Sequence, residues 1–67
     1  MTSYEMYFQT AIETELTRKD TKAAKQLKAR ADTYQGNHVE MNANVIKRLS
    51  AQYGAGKVES ALMSILL

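Results

Sequence analysis

The stretch that decides the architecture is Thr17-Arg18-Lys19-Asp20-Thr21. If it is helical, the first half of the chain is one long rod. If it breaks, that half folds back on itself. The stretch is polar, threonine is a mediocre helix former, and Asp20 has the chemistry of an N-cap for a new helix. Against a break stands the apolar pattern on both sides. Taking Leu16 as reference at about 100° per residue, Phe8, Ile12, Ala23, Leu27, Ala31 and Tyr34 all fall within roughly 80° of it. One stripe keeps its phase through the polar stretch. The sequence therefore predicts a continuous helix over residues 3–34, with a bend at Asp20 as the alternative.

The boundaries outward from that helix are marked by caps. Thr2 followed by Glu5 is a capping-box pattern. Gly36 sits where a left-handed C-cap belongs. Asn37 and Glu40 repeat the capping pattern and predict a second helix over 38–53, with Met41, Val45, Leu49 and Tyr53 inward, joined by Asn42 and Ile46. Gly54 closes it, and Ala55-Gly56 leaves only a tight turn before a third helix over 57–66. The expected fold is all-α: a single domain, residues 1–67, in which one long helix packs on a C-terminal helical hairpin.

The last helix, KVESALMSILL over 57–67, asks for more cover than so short a chain supplies. Val58, Ala61, Leu62, Ile65 and Leu66 fall on one face, while Met63 and Leu67 fall opposite. A helix apolar nearly all round is normally buried all round. Completion by a second copy, or by another protein, is the expectation. There is no cysteine, so no disulfide or thiolate metal site can stabilise a small core.

Composition narrows the function classes. The apolar run 61–67 is far short of the roughly 20 residues of a membrane span, and the N-terminus lacks the pattern of a secretory signal. The expected location is cytoplasmic. The formal charge of +2 hides an asymmetry. Residues 1–17 carry Glu5, Glu13 and Glu15 and no base. Residues 18–34 carry Arg18, Lys19, Lys22, Lys25, Lys28 and Arg30 against Asp20 and Asp32. Of these, Arg18, Lys22, Lys25 and Lys28 point away from the apolar stripe and predict an outward basic ridge suited to nucleic acid or an acidic partner. No aromatic is interleaved with it for base stacking.

Three fragments invite a chemical reading and do not sustain it. Gly54-Ala55-Gly56-Lys57 resembles the end of a phosphate loop. The full pattern needs glycine at Ala51 and Ser or Thr at Val58, and it follows a strand. A weak anion site at the start of the last helix is all that survives. His38 is the only histidine, with no evident nucleophile and little room for a pocket. Residues 38–67 have the outline of a helix-turn-helix, yet the second helix lacks side chains aimed at base edges, so a plain helical hairpin is expected.

The N-terminal cluster is the better contact candidate. Tyr7 lies about 180° from Leu16, with Tyr4 and Ala11 beside it, and tyrosine is favoured at interface cores. The expected interface set is Tyr4, Tyr7, Ala11, Val58, Leu62, Met63, Ile65, Leu66 and Leu67. The expected role is that of a non-enzymatic interaction protein: an inhibitor, adaptor or regulator in the style of small phage- or plasmid-encoded proteins. It would have no cofactor, metal or small-molecule substrate, and its partner would be another protein or itself. Nucleic-acid binding through the ridge is the alternative, and a structural subunit of a larger assembly is a third class.

Overall fold

A computed structural model describes residues 1–67 as four α-helices and no strand. They are α1 (Ser3–Glu13), α2 (Thr21–Ala31), α3 (His38–Tyr53) and α4 (Ala55–Leu66), with a π-helical turn, Thr14–Arg18, continuing α1. None is long and apolar enough to cross a membrane.

The all-α class is as expected, but the long first helix is not. The chain breaks at Lys19-Asp20. The Thr17 hydroxyl donates to the Glu13 carbonyl, competing with the normal backbone donor four residues on, a contact that loosens helices. The helix widens into the π-turn there and ends at Lys19, whose φ of 55° is left-handed. Asp20 then caps α2 by accepting from the Ala23 amide. The bend taken as the alternative is the structure, and it is a reversal.

Two helical hairpins result. In the first, α1 and α2 are antiparallel, and Tyr7 near the start of α1 meets Tyr34 just beyond α2. Ala11, Ala24 and Ala31 are fully buried, and small side chains let helices approach closely. In the second, α3 and α4 join at Gly54, which ends one helix and begins the other. α3 runs parallel to α1: Tyr4 hydrogen-bonds Asn42, Arg48 reaches Gln9, and the Tyr53 hydroxyl donates to Glu13. The core between the hairpins is Tyr4, Phe8, Ile12, Val45, Leu49, Val58 and Ile65 with those alanines and Ala61.

The caps stand as read. Thr2 and Glu5 form a reciprocal capping box, and Asn37 accepts from the Glu40 amide. Gly36 has a different place, because α2 ends at Ala31 and a turn carries the chain to Tyr34. Gly36 is a loop residue with φ 139°, and a Cβ there would stand 2.7 Å from Met41 Cε. α4 begins at Ala55, two residues earlier than expected.

Candidate functional site

The break at Lys19 and the start of α4 together form a cleft. It is lined by Glu15, Leu16 and Lys19 on one side and by Gly56, Lys57, Ser60, Ala61 and Ser64 on the other, and it holds about 370 Å³. The α4 residues recur on a single helical face. The π-turn supplies the opposite wall. The sequence predicts little room for a pocket in so small a chain; the reversal at Lys19 creates it.

Glu15 is the unusual member. It is 9 % exposed, and its Oε1 is buried with no hydrogen-bond partner. A buried acceptor left unmade costs about 1–3 kcal/mol, and more if charged. Two lysines share the cleft wall with it, yet neither forms an ion pair with it. The ion pairs in the structure are Lys28–Asp32 and Arg48–Glu5. At the far end, α4 starts on Gly54 with no side-chain cap. The open amides of that first turn carry the positive end of the helix dipole. Gly54 and Gly56 leave free space around them. The glycine-lysine fragment is thus a helix start, and it lines a cleft.

The expected contact residues separate into interior and surface. Tyr4, Ala11, Val58 and Ile65 are buried within the single chain, so they are core and not available surface. The fold-back is the cause: α2 and α3 cover the sides of α1 that a single rod would leave open. Tyr4 stacks on His38 with ring centroids 4.0 Å apart. His38 Nε2 lies 2.7 Å from the Tyr34 carbonyl oxygen, which requires the proton on that nitrogen. His38 therefore braces the loop between α2 and α3. Burial pushes the Tyr4 hydroxyl above its ordinary pKa, against the opposing pull of the nearby Lys28 charge.

Tyr7 and Leu62 are half-buried, while Met63, Leu66 and Leu67 are 57, 66 and 91 % exposed. Leu66, expected on the inward face with Val58 and Ile65, lies instead on the outer edge, because the chain covers only the Val58–Ala61–Ile65 side of α4. Tyr7 stacks on Tyr34, and the Arg30 guanidinium lies 5.5 Å from the Tyr7 ring centre and 5.7 Å from that of Tyr34. This aromatic-arginine stack has two members, Tyr34 and Arg30, that the sequence places elsewhere: Tyr34 in the core stripe, Arg30 among the charges of the basic segment. Their helical spacing of four was the available signal.

The ridge is shorter than expected. Arg18, Lys22 and Lys25 are exposed, without an acidic partner. Lys28 is half-buried and grips Asp32 at 2.8 Å through both carboxylate oxygens, so it leaves the ridge. Lys19 is exposed and belongs instead to the cleft.

These features define a small all-α protein of two packed helical hairpins with one polar cleft. No family model matches the chain, and neither a similar curated protein nor a similar solved structure was found.

Proposed function

We propose that this chain is a non-enzymatic, cytoplasmic interaction protein, an inhibitor, adaptor or regulatory subunit that acts by occupying the surface of a larger protein or of a second copy of itself. The observation that carries this reading is the outer edge of α4, where Met63 and Leu66 on its last turn and Leu67 just beyond it stand exposed. The other face of α4, through Val58, Ala61 and Ile65, is covered by the chain itself. Contiguous exposed apolar side chains mark contact sites more often than scattered ones do. The Tyr7–Tyr34–Arg30 stack adds a second surface of the composition favoured at binding hot spots.

Light scattering across a dilution series, repeated on a Met63→Ser/Leu66→Ser variant, tests self-association. A concentration-dependent dimer that the variant loses supports the homo-oligomer. A monomer throughout moves the reading to a heterologous partner, tested by capture from the native cell with and without nuclease.

A nucleic-acid reading has one observation in its favour. Arg18, beside the reversal, and Lys22 and Lys25 on the first turns of α2 are exposed and have no acid paired with them. Phosphate binding by such a ridge weakens steeply with salt. Little binding at physiological salt is expected, and a micromolar complex there would reverse the ranking.

A further inference from the structure

Four costly features meet in the cleft between the π-turn and α4. Lys19 holds a left-handed backbone without being glycine, at a cost of order 1–2 kcal/mol. The π-turn replaces regular helix, and such turns occur often at functional sites. Glu15 Oε1 is buried without a donor. The first turn of α4 has no side-chain cap. A chain that needed only a stable core would gain by losing each of them. Strain and unsatisfied groups of this kind gather where a ligand completes the structure.

We propose that this cleft binds a free α-amino acid, its carboxylate at the α4 N-terminus beside Lys19 and Lys57 and its ammonium group on Glu15. The charge pattern selects for both poles. An inorganic anion would suit the lysines and the open amides but would face the Glu15 carboxylate. A simple cation would suit Glu15 but would face two ammonium groups and the positive end of a helix. A zwitterion with opposite charges a few atoms apart satisfies both ends, and charge-assisted hydrogen bonds are the stronger kind. The volume of about 370 Å³ falls at the small end of the roughly 300–1,000 Å³ range of ligand sites. Ser64 donates to the Ser60 carbonyl, leaving its hydroxyl oxygen free to accept from the ligand. Leu16 and Ala61 offer an apolar wall to the ligand's side chain. This site is independent of the α4 edge and of the Tyr7 stack.

Amide spectra of the full chain, titrated in turn with L-alanine, L-serine, L-leucine and L-glutamate, test the proposal. At least one should give saturable shifts at Gly56, Lys57 and Ser60 with a Kd of about 1 mM or tighter. The N-acetyl form of that amino acid lacks the ammonium pole, and its amide lacks the carboxylate. Each should bind roughly tenfold more weakly. Glu15→Gln should weaken the free amino acid by a similar factor and should strengthen the N-acetyl form, which no longer faces a like charge. Lys57→Gln, at an exposed position, should weaken both, and it decides the matter if the Glu15 variant does not fold. Absence of saturable shifts up to about 10 mM for all four amino acids would overturn the proposal. So would inorganic phosphate or the N-acetyl form binding as tightly as the free amino acid, which would make the cleft a plain anion site.

Discussion

Tyr7 and Tyr34 lie face to face, with ring centroids 5.8 Å apart and planes 16° from parallel. A single straight helix would hold them far apart, so this contact exists only because the chain reverses at Lys19. The stack closes the open end of the α1–α2 hairpin, and Arg30 lies over it. Tyr7→Ala removes a half-buried ring, its stacking partner and a cation–π contact. The expected loss is about 1–2 kcal/mol, between an open surface site and a core truncation. Arg30→Ala should cost less, about 0.5–1 kcal/mol. Thermal melts of the two variants check both figures. A Tyr7→Ala melt indistinguishable from that of the native protein would mean that the stack contributes nothing to holding the hairpin shut.

The reversal itself can be tested at its strained residue. Lys19→Gly places at φ 55° a residue that adopts this region without steric cost. The relief is partly offset by the greater freedom of glycine in the unfolded chain. The net expectation is a gain of about 0.5–1 kcal/mol. Asp20→Ala removes the cap on α2 and should cost about 1 kcal/mol. Opposite signs at adjacent positions are the signature of a break. In a continuous helix the glycine would destabilise by about 1 kcal/mol instead.

What marks a helix boundary in this sequence, and what hides one, lies in particular residues. The capping pairs Thr2–Glu5 and Asn37–Glu40 announce helix starts because their side chains bond locally, within three residues. The left-handed position at Lys19 has no glycine or asparagine to announce it, and the stripe through Ile12, Leu16 and Leu27 keeps its phase across it. Leu16 and Leu27 do face inward, as half-buried residues, but on two helices. Ala23 was the expected inward residue, and the fully buried one is Ala24. Once the rod folds, the faces holding Tyr4 and Ala11 become interior. Glu15 was illegible for the same reason. Its burial depends on where α4 docks, which no local pattern in the sequence records. The threonines and Asp20 carry the signal for the break, against a periodicity that runs through it unbroken.

The loop that joins the two hairpins depends on Gly36. Its φ of 139° lies outside what a side chain tolerates, and a Cβ would meet Met41 Cε at 2.7 Å. Gly36→Ala is expected to cost about 2 kcal/mol, in the range of strained backbone positions. Met41→Ala removes the clash but not the backbone strain. Paired with Gly36→Ala, it should therefore recover only part of that loss. Denaturant melts of the two single variants and the double variant measure the coupling. Full recovery in the double variant would assign the whole effect to the side-chain contact.

Acid should act on the α1 start. The Thr2 backbone amide donates to Glu5 at 3.2 Å, and this bond, aided by the Thr2 hydroxyl and by Arg48 at 3.6 Å, holds the Glu5 carboxyl below the ordinary carboxylate range. A carboxyl lowered by folding stabilises the native state fully above its unfolded pKa. That contribution is lost as pH falls through the lower, folded value. The melting temperature should therefore drop below the usual glutamate range, near pH 4. Glu5→Gln should lower the melting temperature at neutral pH and flatten that acid limb. An acid limb of unchanged slope in the variant would place the titrating group elsewhere.

The two faces of α4 should respond oppositely to the same charge. Ile65 is 5 % exposed and packs in the core, so Ile65→Glu buries a carboxylate without a partner. That costs several kcal/mol, most of what a domain of this size has to lose. Unfolding is expected whether or not the chain associates, so this variant says nothing about partners. Leu66 is the informative neighbour. It lies on the open edge with Met63 and Leu67, where a surface change shifts stability by only about ±0.5 kcal/mol. Leu66→Glu should melt like the native chain when dilute. At concentrations where the native chain associates, the variant should stay monomeric, because a carboxylate forced into an apolar contact has no donor there. Sedimentation of the two proteins side by side reads the difference. If Leu66→Glu associates as the native chain does, the edge is not the contact surface, and the Tyr7–Tyr34–Arg30 stack is the next surface to mutate.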